Sequence, residues 1–225
     1  MGSGDADIPL ASYHVPGPAG DVMKMLNGRP QQNVAIIGLG AGSLGAYANS
    51  NRHITFFELD PQVVDIAQSF FTYLRRCGNN CTTIVEDGRL AMRRAHSGEF
   101  DLLIIDAFSS DSIPAHLVSR EAIQLYVSKL KPDGLLLFHV SNRYLDIQAL
   151  VSAVLIDSGL VAFTRQDPDD SIPGKSGSQY VVGATHEASL GAIPSNRNWR
   201  QIPRAPDLRV WTDDYSDVIT LIRWY

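Results

Sequence analysis

Glycines and carboxylates recur at the ends of apolar runs in the first half of this chain, a placement suited to holding a nucleoside. Gly38-Leu-Gly-Ala-Gly42 comes directly off the run Asn33–Gly38, and residues without a Cβ let the backbone turn sharply and approach a ligand. Glu58 closes Phe56-Phe-Glu-Leu-Asp60, where a carboxylate can accept both hydroxyls of a ribose. Asp87, in Val85-Glu-Asp-Gly-Arg89, ends the next run, and Asp106 ends the one after it, opening Ile104-Ile-Asp-Ala-Phe-Ser-Ser-Asp-Ser-Ile-Pro114. Plainer readings stay open beside these. The glycines can form a packing turn, and Gly40, Gly42 and Gly45 also spell the G-x-G-x-x-G of an NAD site, with Glu58 as its acid about 20 residues on. Asp87 can cap a helix that starts at Arg89. Yet a carboxylate at Asp87 also suits the exocyclic amine of adenine in a sulfonium nucleoside of the S-adenosylmethionine kind, and an NAD site has no standard use for it.

The elements that must position these residues follow from the hydrophobic pattern. Near-continuous apolar runs at Asn33–Gly38, Ile54–Leu59, Thr82–Val85, Leu102–Asp106 and Leu135–Val140 read as buried parallel strands. Between them lie helix-like segments at Ser43–Ala48, Pro61–Leu74, Arg89–Ala95, Ser119–Leu130 and Leu145–Asp157, Pro61 standing in a first turn that tolerates proline. Leu160–Thr164 and Gln179–Gly183 read as an antiparallel pair closing the sheet edge, joined by a turn-rich link, Asp167–Gly177, expected to be a mobile surface loop. The tail from Pro194 to Asp207 reads as irregular, and a short helix is expected at Asp217–Trp224. The fold class is therefore α/β, with a doubly wound, mostly parallel sheet and an antiparallel edge, and the glycine turn and acids at its strand ends make a Rossmann-like class I methyltransferase fold the expectation. Residues 1–30 form an N-terminal arm and residues 31–225 the nucleoside-binding catalytic domain.

Composition is consistent with that plan. The chain has 225 residues, 44% hydrophobic and 19% charged, which suits one domain with a sizeable core. A net charge of −5 argues against a broad nucleic-acid surface and favours small cationic substrates. No apolar run approaches the roughly 20 residues needed to cross a bilayer, and the start, Met1-Gly2-Ser3-Gly4, has no secretory character. The expectation is a cytoplasmic protein. Its two cysteines, Cys77 and Cys81, are expected to be free thiols, because a structural zinc site would need two further ligands nearby.

Taken together, Gly38–Gly42, Glu58-Leu-Asp60, Glu86-Asp-Gly88, Asp106–Pro114, Phe138-His-Val-Ser-Asn-Arg-Tyr144 and Trp211-Thr-Asp-Asp-Tyr215 resemble the spermidine synthase family. The likeness is to its bacterial branch often fused to a transporter-like membrane segment, and Asp106–Pro114 and Phe138–Tyr144 are its most specific parts. The resemblance implies an aminopropyltransferase acting with decarboxylated S-adenosylmethionine on an amine such as putrescine. It implies Asp106 as the base for the attacking amine and Asp111 as a second gate-loop carboxylate holding the polyamine. It also implies Glu58 at the ribose, Asp87 at the adenine, and Gly38, Gly40 and Gly42 at the sugar and sulfur end, with Asp60 and Gly88 among the donor-binding residues. The chemistry agrees, since an amine must be neutral to attack carbon and a carboxylate can position it.

Departures from the family pattern leave alternatives. Ala41 stands where the family carries an aspartate that holds the donor's aminopropyl amine, the family's N-terminal hairpin domain is nearly absent, and Ile172–Tyr180 replaces its tyrosine-rich loop. Methyl transfer from S-adenosylmethionine, or a nucleoside-binding module without turnover, are the other readings. A small-molecule amine acceptor is the expected partner, a homodimer is left open, and neither nucleic acid, membrane insertion nor a metal is expected. His116 and His139 have no partner that spacing identifies and read more simply as structural. Asp213 and Asp214 could reach the cleft or begin a solvated helix, while Arg143, Tyr144, Tyr13 and His14 could line the acceptor side. The loop from Asp106 to Pro114 is expected to act as a gate, mobile when empty.

Overall fold

Alternate residues of the inner strands point to opposite sides of one sheet, and both sides are covered. The computed structural model describes residues 8–108, 114–202 and 208–223. Strands β1 (Gln32–Ile37), β2 (Arg52–Glu58), β3 (Cys81–Val85), β4 (Phe100–Ile105), β5 (Leu130–His139), β6 (Val161–Asp167), β7 (Ser178–Ala184) and β8 (Arg200–Gln201) stand in the order β3-β2-β1-β4-β5-β7-β6-β8. The first five pair in parallel, and β7, β6 and β8 add an antiparallel edge. On one face Ala35, Ile37, Leu103, Ile105, Leu136 and Phe138 pack under α4 (Gly88–Arg94), α5 (Arg120–Lys129) and α6 (Ile147–Asp157). On the other, Val34, Ile36, Phe56, Leu102, Ile104 and Leu137 pack under α1 (Pro18–Met25) and α2 (Pro61–Phe70). Strand order reverses between β1 and β4, so the crevice of this α/β sheet opens beyond their carboxyl ends.

Several expectations need correction. The helix expected over Pro61–Leu74 breaks at Phe71, which is extended, and resumes as α3 (Tyr73–Cys77). The segment Ser43–Ala48 forms a tight 3-10 turn, Ser43–Tyr47. The arm contains α1, whose burial rests on long-range partners: buried Arg52 donates to Gln32 Oε1 at 2.6 Å, to the carbonyl of Met23 at 2.9 Å and to Asn27 Oδ1 at 3.0 Å. The link Asp167–Gly177 is tethered, because buried Lys175 pairs with Asp167 at 3.1 Å and the backbone of Ala11 bonds both Gly174 and Ser176. Arg200 and Gln201 of the expected irregular tail pair with β6, and the expected C-terminal helix is a 3-10 turn, Ile219–Leu221.

Cys77 and Cys81 form a disulfide, which overturns the free-thiol expectation. Helix α3 ends at Cys77, the chain turns through Gly78 at φ +55°, and β3 begins at Cys81, which leaves the two Cα atoms 5.6 Å apart. That separation is within bridging range, and a sequence spacing of four in a polar stretch does not reveal it. Among the described residues, no helix is long and apolar enough to cross a membrane, and no group of three His, Cys, Asp or Glu is placed to hold a metal.

Candidate active site

The sheet ladder runs on past the strands and sets their ends side by side. Gly38 N–H donates to the carbonyl of Phe57, Asp106 N–H to that of Ile37, and Glu86 N–H to that of Glu58, each at 2.8 Å. Gly38 sits at φ +102°, and a Cβ there would lie 2.4 Å from the carbonyl oxygen of Asp106. A side chain cannot be accommodated, so the glycine turn and Asp106 are locked in contact. Gly40 and Gly42 also lie at positive φ, +52° and +77°.

Each acid is oriented by backbone. Glu58 accepts from Leu39 N–H through Oε2 at 2.9 Å and from Asp60 N–H through Oε1 at 3.0 Å, which fixes the carboxylate inside the glycine turn with lone pairs left for a ligand. Asp60 caps α2, accepting from Gln62 N–H at 2.8 Å. Asp87 caps α4 by accepting from Leu90 N–H at 2.9 Å, and its other oxygen is 3.1 Å from His116 Nε2. Gly88 packs so closely on Ile37 that a Cβ would fall 2.5 Å from its Cγ2. Gly38, Gly40, Gly42, Glu58, Asp87 and Asp106 therefore gather at neighbouring strand ends; Asp111 lies outside the described residues. Leu59 and Leu90 are large apolar side chains left exposed beside these acids.

Asp106 is held from the neighbouring strand β5. Its Oδ1 is 2.7 Å from His139 Nδ1, both side chains being largely buried, and the Tyr13 phenol from the arm lies near enough to feel its charge. Burial first, then the charge of Asp106, push the Tyr13 phenol well above its usual range, so it stays a donor. The other His139 nitrogen is 2.9 Å from Ser141 Oγ, which accepts from Gln179 N–H at 2.8 Å. Tyr180 stacks on the imidazole at 4.6 Å, as the pairing of His139 with Tyr180 across β5 and β7 requires. None of these contacts is visible as a spacing; only the apolar runs that pair β5 with β7 hint at them.

Next to Ser141, a cavity of about 430 Å³ is lined by Asn142, Arg143, Gln179, Asp167 and Arg223. Its charge is mixed rather than acidic, and Asp167 is already engaged by Arg165 and Lys175 at 3.1 Å each.

Asp213 neither reaches this cavity nor begins a helix. It takes a forked pair of bonds from Arg89 at 2.7 and 2.6 Å and a third from Ser119 at 2.6 Å, while Arg89 also donates to the carbonyl of His116 at 2.9 Å. This ties α4 to the segment entering α5. The Arg89 hydrogen bonds outweigh burial and hold the Asp213 carboxyl down at about 2. A carboxyl depressed in the folded state stabilises above its unfolded value near 4 and loses that contribution as pH falls toward 2. Asp213→Asn should therefore melt lower than the parent at pH 6, by no more than about 2–4 °C because the carboxylate is solvent-screened, and the gap should close by pH 2. Thermal unfolding of both proteins at the two pH values checks this, and a gap that stays constant with pH would count against it.

The sheet order, the glycine turn and the antiparallel edge define the class, a Rossmann-like fold of the class I methyltransferase type. A crystal structure of a probable spermidine synthase from Corynebacterium glutamicum has the same fold, with a TM-score of 0.64 at 16% identity, covering 88% of this chain and 78% of that one. The model of the spermine/spermidine synthase domain matches residues 21–166, and the chain belongs to that family. A polyamine aminopropyltransferase of Vibrio vulnificus is 30% identical over 128 residues, 53% of this chain and 42% of its own length. Putrescine N-methyltransferase 1 of Nicotiana tabacum is 31% identical over 101 residues, 43% of this chain and 26% of its own. The chain thus spans less than half the length of the curated relatives it matches.

Proposed function

We propose that this protein is a transferase that takes an aminopropyl group from decarboxylated S-adenosylmethionine and gives it to a small amine, putrescine being the first candidate. The observation that carries the reading is the contact between the glycine turn and Asp106: a donor seated on Gly38–Gly42 would present its sulfonium carbon beside a carboxylate held by His139, with the Tyr13 phenol nearby. Glu58 and Asp60 are assigned to the ribose, Asp87 and Gly88 to the adenine. Asp106, with Asp111, is assigned to the acceptor. The amine lone pair attacks the carbon next to sulfur, the carbon–sulfur bond breaks, and methylthioadenosine leaves as a neutral thioether. The nitrogen sheds one proton, which Asp106 accepts and passes to solvent.

Ala41 favours a second reading, methyl transfer from S-adenosylmethionine, because it offers no carboxylate to the donor's aminopropyl amine. Relatives named as putrescine N-methyltransferases support that alternative. The mixed charge of the cavity beside Ser141 calls for amines less cationic than a long polyamine among the acceptors tried. Calorimetric titration with decarboxylated S-adenosylmethionine, S-adenosylmethionine, methylthioadenosine and NAD, followed by product analysis with a diamine panel, tests the proposal. Preference for the decarboxylated donor and an aminopropylated product are expected. Preference for S-adenosylmethionine with a methylated product would replace it, and tight nucleoside binding with no turnover would leave a binding module.

A further inference from the structure

We propose that His139 is the positioning residue for Asp106, holding its carboxylate through Nδ1–H while Ser141 holds the imidazole from behind; this rests on the reading of Asp106 as the acceptor-side base. An ionised carboxylate only accepts hydrogen bonds, so the imidazole nitrogen 2.7 Å from Asp106 Oδ1 must carry the proton. Nε2 is then the acceptor and takes the hydroxyl proton of Ser141 at 2.9 Å. Ser141 Oγ keeps a lone pair for Gln179 N–H at 2.8 Å, so the chain from β7 backbone to carboxylate is satisfied at every link.

The ring cannot swing away from this line. Tyr180 stacks on one face at 4.6 Å with 12° between planes, and Tyr13 meets it edge-on at 5.9 Å. His139 and Tyr180 are opposite one another in the antiparallel pairing of β5 with β7, and Val140 N–H bonds the carbonyl of Gln179. The edge that sequence patterning marks as closing the sheet therefore also supplies the support of Asp106. With Oδ1 committed to His139, lone pairs of the carboxylate remain for an incoming amine, and the direction they face is set by a buried ring rather than by a loop.

Three variants separate this role from packing. His139→Phe keeps a stacked ring without a donor; His139→Asn restores a donor at the Nδ1 position; Ser141→Ala removes the support of Nε2. The phenylalanine variant should lose about 10- to 100-fold in kcat with KM for the donor and affinity for methylthioadenosine unmoved. The asparagine variant should recover most of that loss, and Ser141→Ala should show a smaller loss in kcat alone. Nitrogen NMR of the parent protein gives a readout independent of turnover: Nδ1 should be the protonated nitrogen, and its signal should shift in Asp106→Asn. A phenylalanine variant as active as the parent, or a ring protonated at Nε2 alone, would overturn the proposal. Should the parent transfer no group to any amine, the transfer reading falls, and the ring tautomer still decides whether His139 holds Asp106.

Discussion

Asp106→Asn is expected to lower turnover by about 10²- to 10⁴-fold while leaving nucleoside affinity nearly unchanged. The substitution keeps shape and removes charge. An asparagine with its oxygen toward His139 still accepts the 2.7 Å bond from Nδ1–H, so the fold and the packing of His139 against Tyr180 survive. What is lost is the capacity to take a proton from the attacking amine. Donor binding is assigned to Glu58, at the end of β2, and Asp87, at the cap of α4, and should not respond. Steady-state kinetics with the preferred donor and calorimetry with methylthioadenosine check the two halves separately. Full activity in the asparagine variant would mean that Asp106 serves only the local turn, for which asparagine is an equally good residue.

Glu58→Ala should weaken nucleoside binding roughly ten- to hundredfold, the loss of charge-assisted hydrogen bonds worth about 1.5 to 3 kcal/mol. The structure adds a second route to the same loss. Glu58 also accepts from Leu39 N–H and Asp60 N–H, so its removal leaves the glycine turn without its side-chain anchor at Leu39. Glu58→Gln separates the two routes: its amide oxygen can keep one backbone bond, yet it lacks the charge and the second acceptor that a ribose diol uses. The glutamine variant should bind more weakly than the parent and more tightly than alanine. Calorimetry with methylthioadenosine measures both, with thermal unfolding showing that each variant is folded. Affinity equal to the parent's in a folded alanine variant would defeat the assignment to the ribose.

Local pattern and long-range geometry contributed differently here. The five parallel strands, the antiparallel edge and the acids at successive strand ends were legible because both faces of this sheet are buried, and a run of apolar residues ending in glycine or acid marks such a strand wherever it occurs. The capping role of Asp87 was legible for the same reason, since a cap is a contact three residues long. Helix α1 was not, because its burial depends on Arg52, far along the chain, reaching back to Met23 and Asn27. Nor was the break at Phe71 within one continuous helical pattern.

The sequence by itself determined the fold class, the glycine turn and the acids that can face a nucleoside, for these depend on hydrophobic period and on residue type at strand ends. Tertiary structure alone decided that Asp106 meets His139 and Tyr13, that Asp213 locks Arg89 rather than beginning a helix, and that Cys77 and Cys81 are joined. The first two bring together residues 33, 93 and 124 positions apart, and which of many distant histidines, tyrosines or arginines meets a given carboxylate is set by strand order and pairing register. The last is short in sequence yet depends on a left-handed turn at Gly78, a backbone choice that glycine permits without announcing it.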